Sequence, residues 1–262
     1  MQNKIIFFDI DGTILSHRTT HVPASTRTAI RKARENGHLA FINSGRTFAE
    51  IDEETKSIGF DGYVCGCGTY INYHGKDLLR APLPAAVCKS LIEDLRRHKI
   101  EAVLEGTDAV YYDFDSTFPP LVRQRESHRR EYHFNIRSWE VEDISFDKFC
   151  IWCDDPDKSR RFLDNYKDIF DFIDREGRFY EIVPKGYSKA SGVEFLLSYL
   201  NIAHEDSYAL GDGANDLTML RYVKYSIGMG NSDDGVPEIV TFLTKDVDQD
   251  GVEYALRHYR LI

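Results

Sequence analysis

The apolar run Ile5-Ile6-Phe7-Phe8 stops abruptly at Asp9-Ile10-Asp11-Gly12-Thr13, and the pairing of a short apolar strand with a polar cluster at its far end recurs along the chain. Short apolar runs bounded by turn residues read as strands covered on both faces. Lys4 to Phe8 is the first of them. Pro23 to Asn36 then reads as a helix, with proline near its start and Gly37 just past its end. Leu39 to Ile42 is the next strand; it ends in Asn43-Ser44-Gly45-Arg46 and leads into a predicted helix from about Thr47 to Ile58. Such alternation is most simply accommodated by an α/β fold with a parallel sheet, whose reactive loops lie beyond the carboxyl ends of its strands.

Tyr63 to Cys65 and Tyr70 to Tyr73 add short strands, the second turning at His74-Gly75-Lys76 into Leu78-Leu79 as a hairpin. Pro82 and Pro84 then punctuate the chain, and the texture changes. A helix at Ala85 to His98 is followed by strands at Ala102 to Glu105, Val110 to Tyr112, Phe149 to Cys153, Phe170 to Ile173 and Arg178 to Val183. From Pro184-Lys185-Gly186 the first pattern resumes, with a helix at Lys189 to Tyr199 and a strand at Tyr208 to Leu210 that opens into Gly211-Asp212-Gly213-Ala214-Asn215-Asp216. The sequence thus predicts one domain from residues 1–82 plus 185–262 and a smaller α+β domain, 83–184, inserted into it.

Composition narrows the function. The formal charge is -10, with acids spread along the whole length, so nucleic acid is excluded as an expected partner. No apolar run approaches the ~18 residues of a spanning helix, and the apolar stretch after Lys4 is too short for a secretory leader. No membrane partner and a cytoplasmic address are the expectation. Five cysteines are an odd number and do not suggest a secreted disulfide framework. Cys65 with Cys67 and Cys150 with Cys153 have spacings that could supply zinc thiolates, but both pairs sit in strand patterns, where buried small hydrophobes are the better reading.

Asp9 and Asp11, two apart at the end of a strand, aim two carboxylates at one crevice, where mutual repulsion calls for a cation. Hard oxygen ligands suit magnesium, which binds one or two carboxylates together with a substrate phosphate. Gly12 permits close backbone approach to a ligand. Taken alone, the Asp9 to Thr13 segment could be an acidic turn, Ser44 a helix cap and Lys189 a solvated lysine at a helix start. What raises them is that each falls at a strand end or helix start of the same inferred sheet. A hydroxyl and a lysine at two helix starts can hold phosphoryl oxygens, and Asp212 can add a third carboxylate.

Phe8-Asp9-Ile10-Asp11-Gly12-Thr13, Asn43-Ser44-Gly45-Arg46, Lys189 within Pro184-Lys185-Gly186-Tyr187-Ser188-Lys189, and Gly211-Asp212-Gly213-Ala214-Asn215-Asp216 together resemble the four motifs of the haloacid dehalogenase superfamily, in its Cof-like branch. The resemblance spans the chain. It implies a Rossmann-like core with a large α/β cap inserted between the second and third motifs. It implies a magnesium-dependent phosphatase of small phosphorylated metabolites, sugar or cofactor phosphates, working as a monomer or homodimer through an aspartyl-phosphate. On this resemblance Asp9 is the nucleophile and Asp11 the general acid/base. Metal falls to Asp9, the Asp11 carbonyl and Asp212, with Asp216 assisting. Phosphate or substrate falls to Gly12, Thr13, Ser44, Gly45, Lys189 and Asn215, with Arg46 near the substrate. A phosphomutase with the same intermediate and a non-catalytic sugar-phosphate-binding regulator are the alternatives.

One departure stands out: Cys67-Gly68-Thr69 occupies the place where relatives commonly carry Asn-Gly-Ala. Within the inserted domain, Arg123, Arg125, His128, Arg129 and Arg130 form the most basic stretch of an acidic chain. It reads either as a reader of a second anionic group or as a solvated helix face paired with Glu126 and Glu131. Tyr111, Tyr112, Trp139 and Trp152 could stack a sugar or base, or simply fill the core.

Overall fold

The computed structural model describes residues 3–174 and 178–262. They form two compact units: residues 1–45, 53–78 and 188–262 make the first, and 46–52 with 79–187 the second.

The strands of the first sheet are β1 (Ile5–Phe8), β2 (Leu39–Asn43), β3 (Gly62–Cys65), β4 (Tyr70–Tyr73) and β5 (Lys76–Arg80) from the front of the chain. The back of the chain returns to it as β12 (Ser207–Gly211), β13 (Tyr225–Gly228) and β14 (Phe242–Leu243). Their order is β14-β13-β12-β1-β2-β3-β4-β5. The pairs from β14 to β3 are parallel, and β3 with β4 is antiparallel. All four residues of β1 are fully buried, which explains why the strand reads as an unbroken apolar run rather than an alternating one. Phe8 is in register with Ile42 on one side and Leu210 on the other. That register sets the ends of β1, β2 and β12 side by side, with β1 at the point where the chain order reverses.

Helix α1 (Ala24–Glu35) buries Thr26, Ala29, Ile30 and Ala33, a stripe with helical spacing, and ends at Gly37 with φ +88°. The predicted helix from Thr47 to Ile58 is corrected to a single 3₁₀ turn at Phe48–Glu50 and one α-helical turn, α2 (Glu53–Lys56). The Glu50 carboxylate accepts hydrogen bonds from the Thr47 N–H at 3.1 Å and the Thr47 hydroxyl at 2.9 Å, closing the first turn on itself, and Ile51 is extended and buried. Burial of Ile51 outweighs continuation of the helix.

The second unit holds β6 (Glu101–Glu105), β7 (Val110–Tyr112), β8 (Ile136–Ser138), β9 (Lys148–Trp152), β10 (Phe170–Asp174) and β11 (Phe179–Pro184), in the order β10-β11-β9-β6-β7-β8. Every pair is antiparallel except β7 with β8. Alternate residues face opposite sides. Ala102, Leu104, Phe149 and Ile151 pack with α3 (Ala85–His98) and α5 (Pro156–Tyr166) through Leu91, Leu95 and Phe162. Val103, Val110, Tyr112 and Cys150 pack on the other side with Leu121 of α4 (Pro119–Arg130), and Ala49 joins them. Trp139 and Tyr111 belong to the first of these clusters and Tyr112 to the second, so three of the four aromatics named above are core, and the fourth, Trp152, is partly buried against the second.

All five cysteines are buried free thiols, the role read for them from the sequence. Among the described residues no helix is long and apolar enough to cross a membrane.

Candidate active site

The strand ends of the first unit bring four charged side chains out of solvent. Asp9 directly follows β1, its N–H donating to the Leu210 carbonyl at 3.1 Å, and it is 3% exposed. Lys189 opens α6 (Lys189–Leu200), whose start is fixed by a capping box in which Ser188 and Ser191 exchange hydrogen bonds. The Lys189 side chain has no exposure, and its Nζ donates to Asp9 Oδ1 and to Asp216 Oδ1, each at 2.6 Å. Asp216 turns its other oxygen back on its own loop, where Oδ2 accepts from the N–H groups of Asp212 and Gly213 at 3.0 Å. That loop runs from β12 into α7 (Leu217–Tyr222). Asp212 Oδ1 accepts from the Thr13 hydroxyl at 3.0 Å.

Asp9, Asp212 and Asp216 offer carboxylate oxygens that lie within 4.8 Å of one another. Burial, Asp216, Asp11 and Asp212 push the Asp9 carboxyl well above its ordinary range, against the opposing pull of Lys189. Burial and Asp216 raise Asp212 to about 7, partly offset by the Thr13 hydrogen bond and Lys189. Burial works against the charge on Lys189, but Asp216 and Asp9 overcome it and hold the ammonium above its usual value. One cation among three buried carboxylates leaves negative charge in excess. The all-oxygen donor set suits a hard divalent cation, so the residues present fit magnesium.

Asp11 is half-buried and outside this trio, yet its charge reaches Asp9. Gly12 takes φ +79° so that its N–H meets the Leu15 carbonyl at 2.9 Å, closing the loop after β1. Ser44 is buried at the end of β2, with its N–H on the Val64 carbonyl at 2.9 Å and its carbonyl accepting from Cys67 at 3.1 Å. Cys67 holds a left-handed conformation, φ 55°, which asparagine would also tolerate, so the exchange keeps the turn and loses the amide. Asn215 is half-buried in the Asp212 loop, and Gly45 is half-buried after Ser44. Arg46 groups with the second unit, where its guanidinium donates to the Glu50 carbonyl at 3.3 Å and pairs with Asp52 at 3.6 Å.

Two residues without a role in the sequence reading support this framework. Asn43 is fully buried and donates from Nδ2 to the Lys189 carbonyl at 2.9 Å, tying β2 to the start of α6. Asn231 donates to the Gly12 carbonyl at 2.8 Å and accepts from the Val247 N–H at 2.9 Å. It follows β13 in Met229-Gly230-Asn231, so the rule that function lies beyond strand ends would have singled it out.

YkrA of Bacillus subtilis is 28% identical over all of both chains. The pyridoxal phosphate phosphatase YbhA of Escherichia coli is 27% identical over 96% of this chain and 97% of its own. A hypothetical protein from Geobacillus kaustophilus superposes with a TM-score of 0.86 at 28% identity, covering 99% of this chain and 100% of that one. A model of the haloacid dehalogenase-like hydrolases matches residues 6–256. The chain therefore belongs to the haloacid dehalogenase-like hydrolases, in the Cof-like branch, and its second sheet is the inserted cap.

Proposed function

We propose that this hydrolase is a magnesium-dependent phosphatase of small phosphorylated metabolites, and that Asp9 carries the phosphoryl group as an aspartyl-phosphate. The observation that carries the reading is Lys189, buried and bridging Asp9 to Asp216 inside a cluster of three carboxylates. Residues 1–82 with 185–262 do the chemistry in this reading, and 83–184 select the substrate. Five buried free thiols suit a reducing cytoplasm.

Asp9, Asp212 and Asp216 would hold the metal, with Asp11 contributing from the same loop. Magnesium supplies, when bound, the positive charge that keeps these acids ionised and offsets the charge of the phosphoryl group. A carboxylate oxygen of Asp9 attacks phosphorus, and the bond from phosphorus to the ester oxygen breaks as Asp11 gives that oxygen its proton. Asp11, now ionised, takes a proton from water, and the water oxygen displaces Asp9 to release inorganic phosphate. Lys189 holds Asp9 in position and stabilises charge on the transferred group. Ser44, Asn215 and the backbone at Gly45 receive the remaining phosphoryl oxygens; Gly12 and Thr13, whose N–H and hydroxyl are given to the Leu15 carbonyl and to Asp212, shape the loop that carries Asp9 and Asp11, and Arg46 would read the leaving group.

Phosphate release from a panel of esters tests this, with the ester in YbhA's name, pyridoxal phosphate, beside sugar phosphates and nucleotides. We expect release with magnesium, none with a chelator, and a loss of at least about a thousandfold in Asp9→Asn. Isomerisation without phosphate release would favour a mutase. Turnover in Asp9→Asn comparable to wild type would remove the nucleophile assignment.

A further inference from the structure

The second unit contains a cavity of about 510 Å³ lined by Phe114, Arg125, Glu126, Arg129, Phe134, Asn135 and Ile136. We propose that it is a binding site for a small molecule that joins an anionic group to a flat aromatic ring.

Both chemistries are built into its walls. Arg125 and Arg129 stand one helical turn apart on α4 and face the same space. The Arg125 guanidinium is held by a hydrogen bond to the Asp113 carbonyl at 3.1 Å and lies 5.2 Å from the centre of the Phe114 ring. That contact fixes its plane and leaves further N–H donors for a ligand. Arg129 is exposed and makes no hydrogen bond or ion pair among the described residues. The acid on the wall, Glu126, is paired with Arg130 at 2.9 Å, so its charge is partly neutralised from outside the cavity. In a chain of net charge -10, two arginines open to one cavity form a local positive site.

The aromatic walls differ in the same useful way. Phe114 is 51% exposed, one of a few large apolar side chains left in solvent. Phe134 is immobilised: it stacks on Tyr132 at 5.2 Å and meets the edge of His128 at 5.1 Å, and His128 is itself hydrogen-bonded to the Tyr112 hydroxyl at 2.9 Å. A ring entering the cavity would cover exposed Phe114 and find a fixed partner in Phe134, while its anionic substituent takes a two-pronged contact from arginine. The volume matches what a small-molecule site requires. The ligand could be a substrate's own leaving group or a separate effector, since both would present this chemistry.

The probe is 1-naphthalenesulfonate, which has no ester to hydrolyse, titrated into the full chain and followed by its fluorescence. Saturable binding is expected, weakened about tenfold in Arg129→Gln, the loss of one charge-assisted contact. Neutral 1-naphthalenemethanol should bind about tenfold more weakly than the sulfonate and be indifferent to Arg129→Gln. Arg129 is exposed, so the variant should keep its fold, and far-ultraviolet circular dichroism verifies that. A Phe134→Leu variant reads the ring contact independently. Equal sulfonate affinity in wild type and Arg129→Gln, or equal affinity for the neutral compound, overturns the proposal whether or not the chain is a phosphatase. Hydrolysis of the phosphate ester of 1-naphthol-4-sulfonate, whose leaving group carries both the ring and an anion, separates the two sources. A raised KM at constant kcat in Arg129→Gln assigns the site to the substrate, and an unchanged KM beside weakened sulfonate binding assigns it to an effector.

Discussion

A β-carbon on Gly12 would lie 2.0 Å from Asp212 Oδ2, and the residue already sits at φ +79°. Both facts follow from one requirement: the loop after β1 must turn tightly while passing against a carboxylate from the other end of the chain. Gly211 is confined similarly, since its β-carbon would meet Asp216 Cγ at 2.6 Å. Gly12→Ala is therefore expected to lose about 1–2 kcal/mol of stability from the left-handed backbone alone. It should also displace Asp212, with phosphate release falling at least about a hundredfold. Urea denaturation and steady-state kinetics on one preparation check both parts; wild-type kcat in this variant would mean that the Asp212 position is not required. At the residue scale, what was legible was position: an acid or a lysine at a strand end or helix start of the same inferred sheet. Asp9, Lys189 and Asp212 stood out in this way. Asn43 did not, because a buried amide holding a helix carbonyl looks the same in sequence as one filling a strand end.

β6, β9 and β11 share a burden invisible in sequence. Glu105, Lys148 and Glu181 meet across these three strands with almost no exposure, Lys148 pairing with Glu105 and with Glu181 Oε1 at 2.9 Å. Burial and the charge of Glu50 push Glu105 up to about 7, Lys148 pulling the other way. The native state therefore holds the Glu105 proton more tightly than the unfolded chain, whose value lies near 4.5. Stability contributed by this group is full below about pH 4.5, falls as pH rises to about 7, and stays reduced above that. Glu105→Gln removes the titration while Glu181 remains as a partner for Lys148. It is expected to raise the urea midpoint at pH 8 and give no gain near pH 4.5. Both tryptophans, Trp139 and Trp152, lie in this unit, so their emission reports the transition. A pH-independent difference between the two proteins would reject the account. The strands themselves were readable from apolar runs. Their pairing was not, because register among antiparallel strands rests on contacts far apart in sequence, and neither was the break at Ile51, where tertiary burial overrode a helical pattern.

Across the molecule, the first unit is assembled from three stretches of chain, and its reactive groups come from the first and last of them. Alternation of strands and helices was sufficient to read a parallel sheet interrupted by an insertion, since both faces of such a sheet must be apolar. The insertion's own topology needed the structure. The same long-range assembly makes the carboxylate cluster a stability problem for the whole first unit. Asp9 precedes Asp212 and Asp216 by some two hundred positions, and among the described residues Lys189 is the one cation paired with this cluster, through Asp9 and Asp216. A cation that binds the folded cluster and not the dispersed acids of the unfolded chain must stabilise by mass action. At about ten times its dissociation constant the gain is about 1.4 kcal/mol, which for a chain of this size is a rise of roughly 3–6 °C in melting temperature. Magnesium is expected to produce that rise, a chelator to reverse it, and Asp212→Asn to melt at the same temperature with and without the ion. An equal magnesium shift in Asp212→Asn would place the binding outside the cluster, and no shift in the wild-type protein would leave Lys189 as the only counter-charge that the described residues give those carboxylates.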